Sequence, residues 1–515
     1  MTSSRSEVVA KNSLFMAFRM ILVVVVGLYT SRVILDKLGI DDYGIYNVVW
    51  SVVVFFSFLQ QALTNATYRF LAYDLGRAES DPQENVNLRK TFSMSINVHL
   101  LLGIVILILC ETVGLWFVNY KLVIPVERMY AANVSYQFAV LCFVLNIVKT
   151  PYNSLIIVHE KMSFYAYTSV LEAIMKLLIV YFLSIAPFDK LIFYSLLIFV
   201  LTLILFVWYM SHCLHSFSES IYMFYWNSDT AKSMVKYSGW SLLVNGVDVG
   251  VNQSVVYFYN VFFGVVVNAA YGIANQVSSH LNQFLNSFSS AFNPQIIKSY
   301  SRGDRPYFMQ LVYSTSKFSF YILFFISMPI IFNVDYILNI WLKDVPEGSS
   351  ILVIMLMLYS FIDAYSAPLW ISVHATGNLR THQILMASIK ILNIPLAYIL
   401  LCQGVPAWMV LAIKAGLNFV CSVVRPMYMV RLINLDFKHY MKNVFFVVYL
   451  VAGLSIPIPI ILSSYCDTGF SQFMVTSFSF AIIFFLVVYL IGLTGKEKTL
   501  AKELLLTKLM KFRKN

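Results

Sequence analysis

Charge is scarce in this chain. Only 12% of its 515 residues are Asp, Glu, Lys or Arg, about half of what a soluble domain carries. With 59% hydrophobic residues, it falls among membrane proteins rather than water-soluble ones. Cysteine is sparse as well. The six residues at 110, 142, 213, 402, 421 and 466 show no CxxC or zinc-like spacing, which points to neither a disulfide framework nor a metal site. Catalytic signatures are also missing: no HExxH, GxSxG, P-loop or GxGxxG run occurs. His99, His280, His374 and His382 stand singly. A membrane-embedded polysaccharide polymerase or acyltransferase would need such chemistry and a large loop outside the membrane. The longest expected outside loop, from Asn333 to Gly348, has only about 15 residues. No enzyme activity, catalytic residue or cofactor is expected. The polar start MTSSRSEVVAKNS has no small-residue cleavage site after it, so the first apolar segment is expected to be retained.

What is present is length and apolarity. A helix needs about 20 mostly apolar residues to cross hydrocarbon. Fourteen candidate segments fit: 12–35, 43–68, 91–117, 129–156, 164–186, 190–212, 236–262, 266–292, 311–333, 349–374, 381–402, 406–430, 443–463 and 470–493. The second, seventh and eighth are rich in Asn, Gln and Ser. With the amino terminus cytoplasmic, 26 of the 36 Lys and Arg fall on the cytoplasmic side and 6 outside. That bias places both termini inside. It also accounts for the net charge of +11 by topology, without a nucleic-acid partner.

The chain repeats a phrase. Tyr43–Asn47 reads YGIYN and Tyr271–Asn275 reads YGIAN, 228 residues apart. Each opens the second segment of a group of six. Two parallel six-span copies are expected, related about an axis along the membrane normal. The expected fold is therefore an all-α integral membrane protein of about 14 transmembrane helices, with two pseudo-symmetric six-helix bundles and two further carboxyl-terminal helices. The expected divisions are 1–212 for the first bundle, 213–235 for a cytoplasmic linker and 236–431 for the second bundle. Residues 432–493 form the two added helices, and 494–515 a basic tail that is either interfacial on the anionic inner leaflet or solvated.

Ionisable residues inside spans are costly and point to function. Arg19 is either a phosphate clamp or a snorkelling anchor. Glu172 and Lys176, at i and i+4 on one helix, form either an insertion-permitting ion pair or a base that meets an anion beside its acid. Asp248, flanked by Gly246 and Gly250, and Asp363 are candidates for ion coupling alongside Glu172, with H+ or Na+ as the ion. The alternative for Asp248 is neutralisation by Lys390 or Lys414. Lys390, near mid-span, and Lys414 are candidates for contact with phosphate or sugar. Glu111 sits near an outside end and reads as interfacial. Asn275, Ser279, Asn282 and Asn286 form one polar stripe along the eighth span, suited to water or sugar hydroxyls or to interhelical bonding. Pro294, Pro329, Pro368, Pro395 and Pro426 are candidate flex points. In-span bases match in-span acids four to four, which favours an anionic substrate over the cation of a MATE-type drug antiporter.

KNSLFMAFRMILVVVVGLYTSRVILDKLGIDDYGIYNVV resembles the start of bacterial polysaccharide exporters of the O-antigen flippase (Wzx) type. ANQVSSHLNQFLNSFSSAFNPQIIKSYSRGD resembles their eighth span and following loop. The LGxxxYGxY run from Leu38-Gly39 to Tyr46 is the more specific part. This family sits in the superfamily of MATE drug exporters and lipid II flippases. The resemblance implies a flippase of the bacterial inner membrane, working by alternating access. Its substrate would be an undecaprenyl-diphosphate-linked oligosaccharide, carried from the inner to the outer leaflet. The resemblance also implies membrane lipids, a polysaccharide polymerase and a chain-length regulator as partners.

Overall fold

A computed structural model describes the backbone of residues 2–80, 85–159, 161–185, 187–376, 380–466, 469–495 and 497–499. Side chains are described from Leu22 onward, apart from scattered positions, most of them in 230–244 and 286–294. The side chains of Arg19 and Asn286, and the basic tail beyond 499, lie outside the described residues.

No strand occurs among the described residues. In hydrocarbon each unpaired backbone N–H or C=O costs several kcal/mol, and a helix pairs these groups within one segment. The first seven helices are α1 (Thr2–Val54), α2 (Ser57–Ser80), α3 (Asn85–Leu109), α4 (Leu115–Tyr120), α5 (Met129–Val158), α6 (Met162–Ile185) and α7 (Lys190–Ser216). Next come α8 (Ser228–Phe263), α9 (Val265–Ser301), α10 (Arg305–Phe332), α11 (Val334–Trp341), α12 (Ser349–Thr376), α13 (Arg380–Ile391) and α14 (Asn393–Cys402). The last are α15 (Trp408–Ile433), α16 (Phe437–Tyr440), α17 (Phe446–Ser455), α18 (Pro457–Ser463) and α19 (Phe470–Val487).

Among the described residues, ten helical stretches are long and apolar enough to cross a membrane. The other four expected segments, 12–35, 43–68, 236–262 and 266–292, are helical as well. They lie in α1, α2, α8 and α9; Asn, Gln and Ser lower the hydropathy of the last three. Helix α1 bends at Gly39 (φ 79°), a left-handed position open to glycine without a Cβ penalty. The segment expected at 43–68 therefore begins in the second limb of α1 and continues in α2 beyond Phe55–Phe56. The segment at 381–402 breaks into α13 and α14 at Leu392, three residues before Pro395.

The chain gathers into two compact units. One comprises Met1–Gly272, Trp341–Glu347 and Tyr398–Ala407; the other comprises Ile273–Ile340, Gly348–Ala397 and Trp408–Asn515. These units divide the chain elsewhere than at 213–235. Helix α8 packs along α2 and α1, which draws Ser228–Gly272 into the first unit.

Within the first unit, α5 packs on α7 and α1 on α6. Phe92, Tyr152, Leu155, Phe164 and Tyr209 form a buried cluster there. Asp189 caps α7, accepting from the Leu191 and Ile192 amides. Within the second unit, α12 packs on α15 and α10, and α10 on α19. Phe308, Leu369, Val373, Met429 and Tyr440 are buried together. Phe478, Ile482 and Phe485 on α19 are 66%, 68% and 59% exposed, as suits a lipid-facing surface.

Candidate functional site

In the first unit the polar groups gather on α2, α5 and α6. Glu172 and Lys176 lie one helical turn apart on α6 and pair at 2.7 Å, as the i, i+4 spacing requires. The structure adds Lys149, one helix away on α5. Its ammonium donates to Asn146 Oδ1 at 2.7 Å and lies 5.4 Å from the Tyr209 ring centroid. Glu172 acts on it electrostatically. Gln60 of α2 reaches into the same group and donates to the Asn146 carbonyl and the Thr150 hydroxyl, both at 3.2 Å. One carboxylate thus serves two ammonium groups, which leaves a net positive polar group inside spanning helices. Asp248 is half-buried on α8, its carbonyl accepting from Asn252 at 2.9 Å.

The two repeated phrases meet in this unit. A Cβ placed on Gly44 would lie 2.0 Å from the Val265 carbonyl oxygen, and one on Gly272 would lie 2.6 Å from Asn47 Nδ2. The second limb of α1 and the first turns of α9 therefore approach until only hydrogen fits at these glycines. Asn47 is held by its bond to the Tyr43 carbonyl at 2.8 Å. Beside this contact, Asn260 exchanges two bonds with the Val123 backbone, at 2.7 and 3.0 Å. Trp341 donates to the Leu28 carbonyl at 2.8 Å, and Lys343 pairs with Asp36 at 2.9 Å. Lys343 is the main reason that the Asp36 carboxyl titrates below its usual 3.8. Arg128 holds both Asp42 oxygens, at 2.8 and 2.6 Å, and Asp189 at 2.6 Å. These bonds tie α1, α5 and α7 together at one end.

In the second unit the cations are more deeply set. Lys414 on α15 is 8% exposed, its ammonium 4.8 Å from the Tyr359 ring centroid. Lys390 on α13 is half-buried, and Asp363 on α12 is exposed. The polar stripe of α9 divides. Asn275 and Ser279 are exposed. Asn282 instead donates to Ser360 on α12 at 3.1 Å and to the Ser278 carbonyl at 2.9 Å, an interhelical use.

Two further cations stand within the expected segments 311–333 and 406–430, beyond the eight ionisable residues singled out from the sequence. Lys317 on α10 is 2% exposed. It pairs with Glu497 at 2.7 Å and donates to the Gly492 carbonyl at 3.2 Å. Arg425 on α15 is 5% exposed, and its Nη1 donates to the carbonyl and hydroxyl of Ser366. A finer signal was available: both lie several residues inside an apolar run, where a charge seldom sits without a partner or a task.

Among the described residues, no cluster of three or more His, Cys, Asp or Glu side chains is arranged to hold a metal ion. The described site residues are charged and amide side chains placed within membrane-spanning helices. Such groups can bind a polar or ionic solute.

These features define an all-α, multi-pass membrane protein, and solved structures of MATE transporters and of a lipid II flippase share its fold. No family profile and no curated protein sequence matches the chain. Among solved structures, the chain is similar to a lipid II flippase MurJ in an inward closed conformation. The match has a TM-score of 0.65 and 13% identity, covering 93% of this chain and 98% of that one. It is also similar to the MATE multidrug transporter DinF-BH, with a TM-score of 0.61, 14% identity, and coverage of 82% and 96%. An inward-facing multidrug resistance MATE family transporter of the MOP superfamily matches with a TM-score of 0.60 and 10% identity, again covering 82% and 96%.

Proposed function

We propose that this protein is a flippase that moves a lipid-linked oligosaccharide, joined to its lipid by a diphosphate, from the inner to the outer leaflet of a bacterial inner membrane. What carries the reading is the surplus of cations inside the spanning helices. Lys149 and Lys176 share Glu172 in the first unit. Lys414 rests on an aromatic ring and Arg425 on a serine in the second. A diphosphate cannot enter hydrocarbon unpaired, and ammonium or guanidinium groups set among helices are its natural counter-charges. A site for organic cations would carry the opposite surplus. The fold shared with a lipid II flippase supports the same direction.

In this reading Arg19, Lys176, Lys390 and Lys414 meet the diphosphate or sugar at different stages. Exposed Asn275 and Ser279, with Asn286, offer hydrogen bonds to glycan hydroxyls. Asp248 and Asp363 are the carboxylates available to couple transport to H+ or Na+, with Glu172 holding Lys176.

The test is reconstitution of the full chain in liposomes carrying a fluorescent lipid-linked oligosaccharide in both leaflets, with an added membrane-impermeant quencher. Full quenching is expected with the protein and half quenching without it. Lys149→Ala and Lys176→Ala are expected to slow the second phase by about tenfold or more, the value of one charge-assisted bond. Export of a fluorescent organic cation with no movement of the oligosaccharide would replace this reading with that of a drug antiporter.

A further inference from the structure

A second cationic group lies in the second unit, where α12, α13 and α15 come together. Arg425 is 5% exposed, and its Nη1 is engaged by the Ser366 carbonyl at 3.0 Å and by the Ser366 hydroxyl. Its Nε has no hydrogen-bond partner. One turn along α15, Tyr428 carries its ring 5.8 Å from that of His382 on α13. His382 is 1% exposed, and neither of its ring nitrogens is bonded. On α12, His374 stacks edge-on to Trp370 at 4.0 Å, with Nε2 buried and unbonded. Arg425, His374 and Lys390 all act electrostatically on His382, and among the described residues no carboxylate does.

The surrounding helices carry few carboxylates. No Asp or Glu occurs in α10, α13, α14 or α15, or in the part of α9 within this unit. Asp363, the carboxylate of α12, is exposed. It stands eleven residues from His374, about 16 Å along the helix. Asp436 caps α16 through the His439 amide at 3.0 Å.

A buried guanidinium without an anion is costly to desolvate. Unbonded buried polar atoms add to that cost. Unbonded buried atoms on three side chains that act on one another electrostatically are explained if an oxyanion completes them. A guanidinium offers two parallel N–H bonds to a phosphoryl group, and an imidazole offers one from whichever nitrogen is protonated.

We propose that Arg425, His382 and His374, with Lys390 beside them, form a binding site for a phosphoryl headgroup. This site is separate from the Lys149–Glu172–Lys176 group. The same chemistry serves a phospholipid headgroup or the diphosphate of a lipid-linked sugar; only the second source rests on the flippase reading.

The experiment uses the full chain in zwitterionic nanodiscs, with three probes: inorganic pyrophosphate, phosphatidylglycerol and undecaprenyl diphosphate. Binding is read by native mass spectrometry and by thermal shift. At least one probe is expected to bind the parent and raise its melting temperature. Arg425→Gln is expected to weaken that binding at least tenfold, His382→Ala by several-fold, and Arg425→Lys to restore part of it. Should Arg425→Gln not fold, His382→Gln and hydrogen exchange of α13 and α15 in the parent, with and without pyrophosphate, provide the same reading. Phosphatidylglycerol bound alone assigns a structural lipid and leaves the flippase reading untouched. Undecaprenyl diphosphate bound in preference assigns a substrate subsite. Failure of all three probes, or equal binding by parent and both variants, overturns the proposal.

Discussion

Gly44→Ala adds one methyl group where the structure has no room for it. The new Cβ would lie 2.0 Å from the Val265 carbonyl oxygen and 2.8 Å from its carbon. Ordinary contact begins near 3.4 Å, so the two backbones must separate by well over an ångström. Neither partner is the end of a flexible side chain that can turn aside. Overpacking of this kind costs about 1–3 kcal/mol and sometimes more. Alanine returns about 1 kcal/mol of helix propensity over glycine. The net expectation is destabilisation of about 1–2 kcal/mol, toward the upper end because backbone must move. Two other glycines grade the result. A Cβ on Gly272 meets the Asn47 side chain at 2.6 Å, which can swing away by giving up its bond to the Tyr43 carbonyl. Gly272→Ala is therefore expected to cost less. Gly416, inside α15, has nothing within 4 Å of its Cβ, so Gly416→Ala is expected to be neutral or stabilising. The assay is tryptophan-fluorescence melting of the purified full chain in one detergent. The expected order of melting temperature is Gly416→Ala at or above the parent, then Gly272→Ala, then Gly44→Ala. If Gly44→Ala melts with the parent, the close approach of α1 and α9 is refuted.

Glu497→Gln should strand the Lys317 ammonium, 3% exposed, at a cost of about 3 kcal/mol; adding Lys317→Met should recover most of the lost melting temperature. Arg128→Gln removes bonds to Asp42 and Asp189 and should cost about 1–3 kcal/mol, with Arg128→Lys recovering only part because it lacks the fork. Acid should unfold the first unit partly through Glu219. Burial raises its carboxyl, but the 2.6 Å bond from His159 and the backbone bonds outweigh this and leave it below its usual 4.5. A carboxyl depressed on folding stabilises above its unfolded pKa, and that contribution is lost as pH falls through the folded value. Melting measured from pH 6 to pH 3 should therefore show a smaller drop below about pH 4.5 in Glu219→Gln than in the parent.

The helical class was legible because spanning a membrane is a local, one-dimensional demand on composition. Runs of apolar residues declared α3, α5, α7, α10, α12, α15 and α19 before any contact was known. The Glu172–Lys176 pair was legible for the same kind of reason, since i, i+4 neighbours on a helix meet whatever surrounds them. The YGI phrases marked positions that matter, but not that the two would press against each other. That depends on α8 and the first turns of α9 packing with α1 and α2, a choice made by shape complementarity between distant segments. Burial of Lys317 and Arg425 was hidden because distance from a span end does not reveal which way a side chain turns. The polar stripe of α9 was visible as a stripe, yet only packing against α12 decided that Asn282 bonds to Ser360 while Asn275 and Ser279 stay open. Hydropathy and helical period are properties of one segment. Which faces meet, and which charges lose their water, are properties of segments hundreds of residues apart, and only the folded chain sets them.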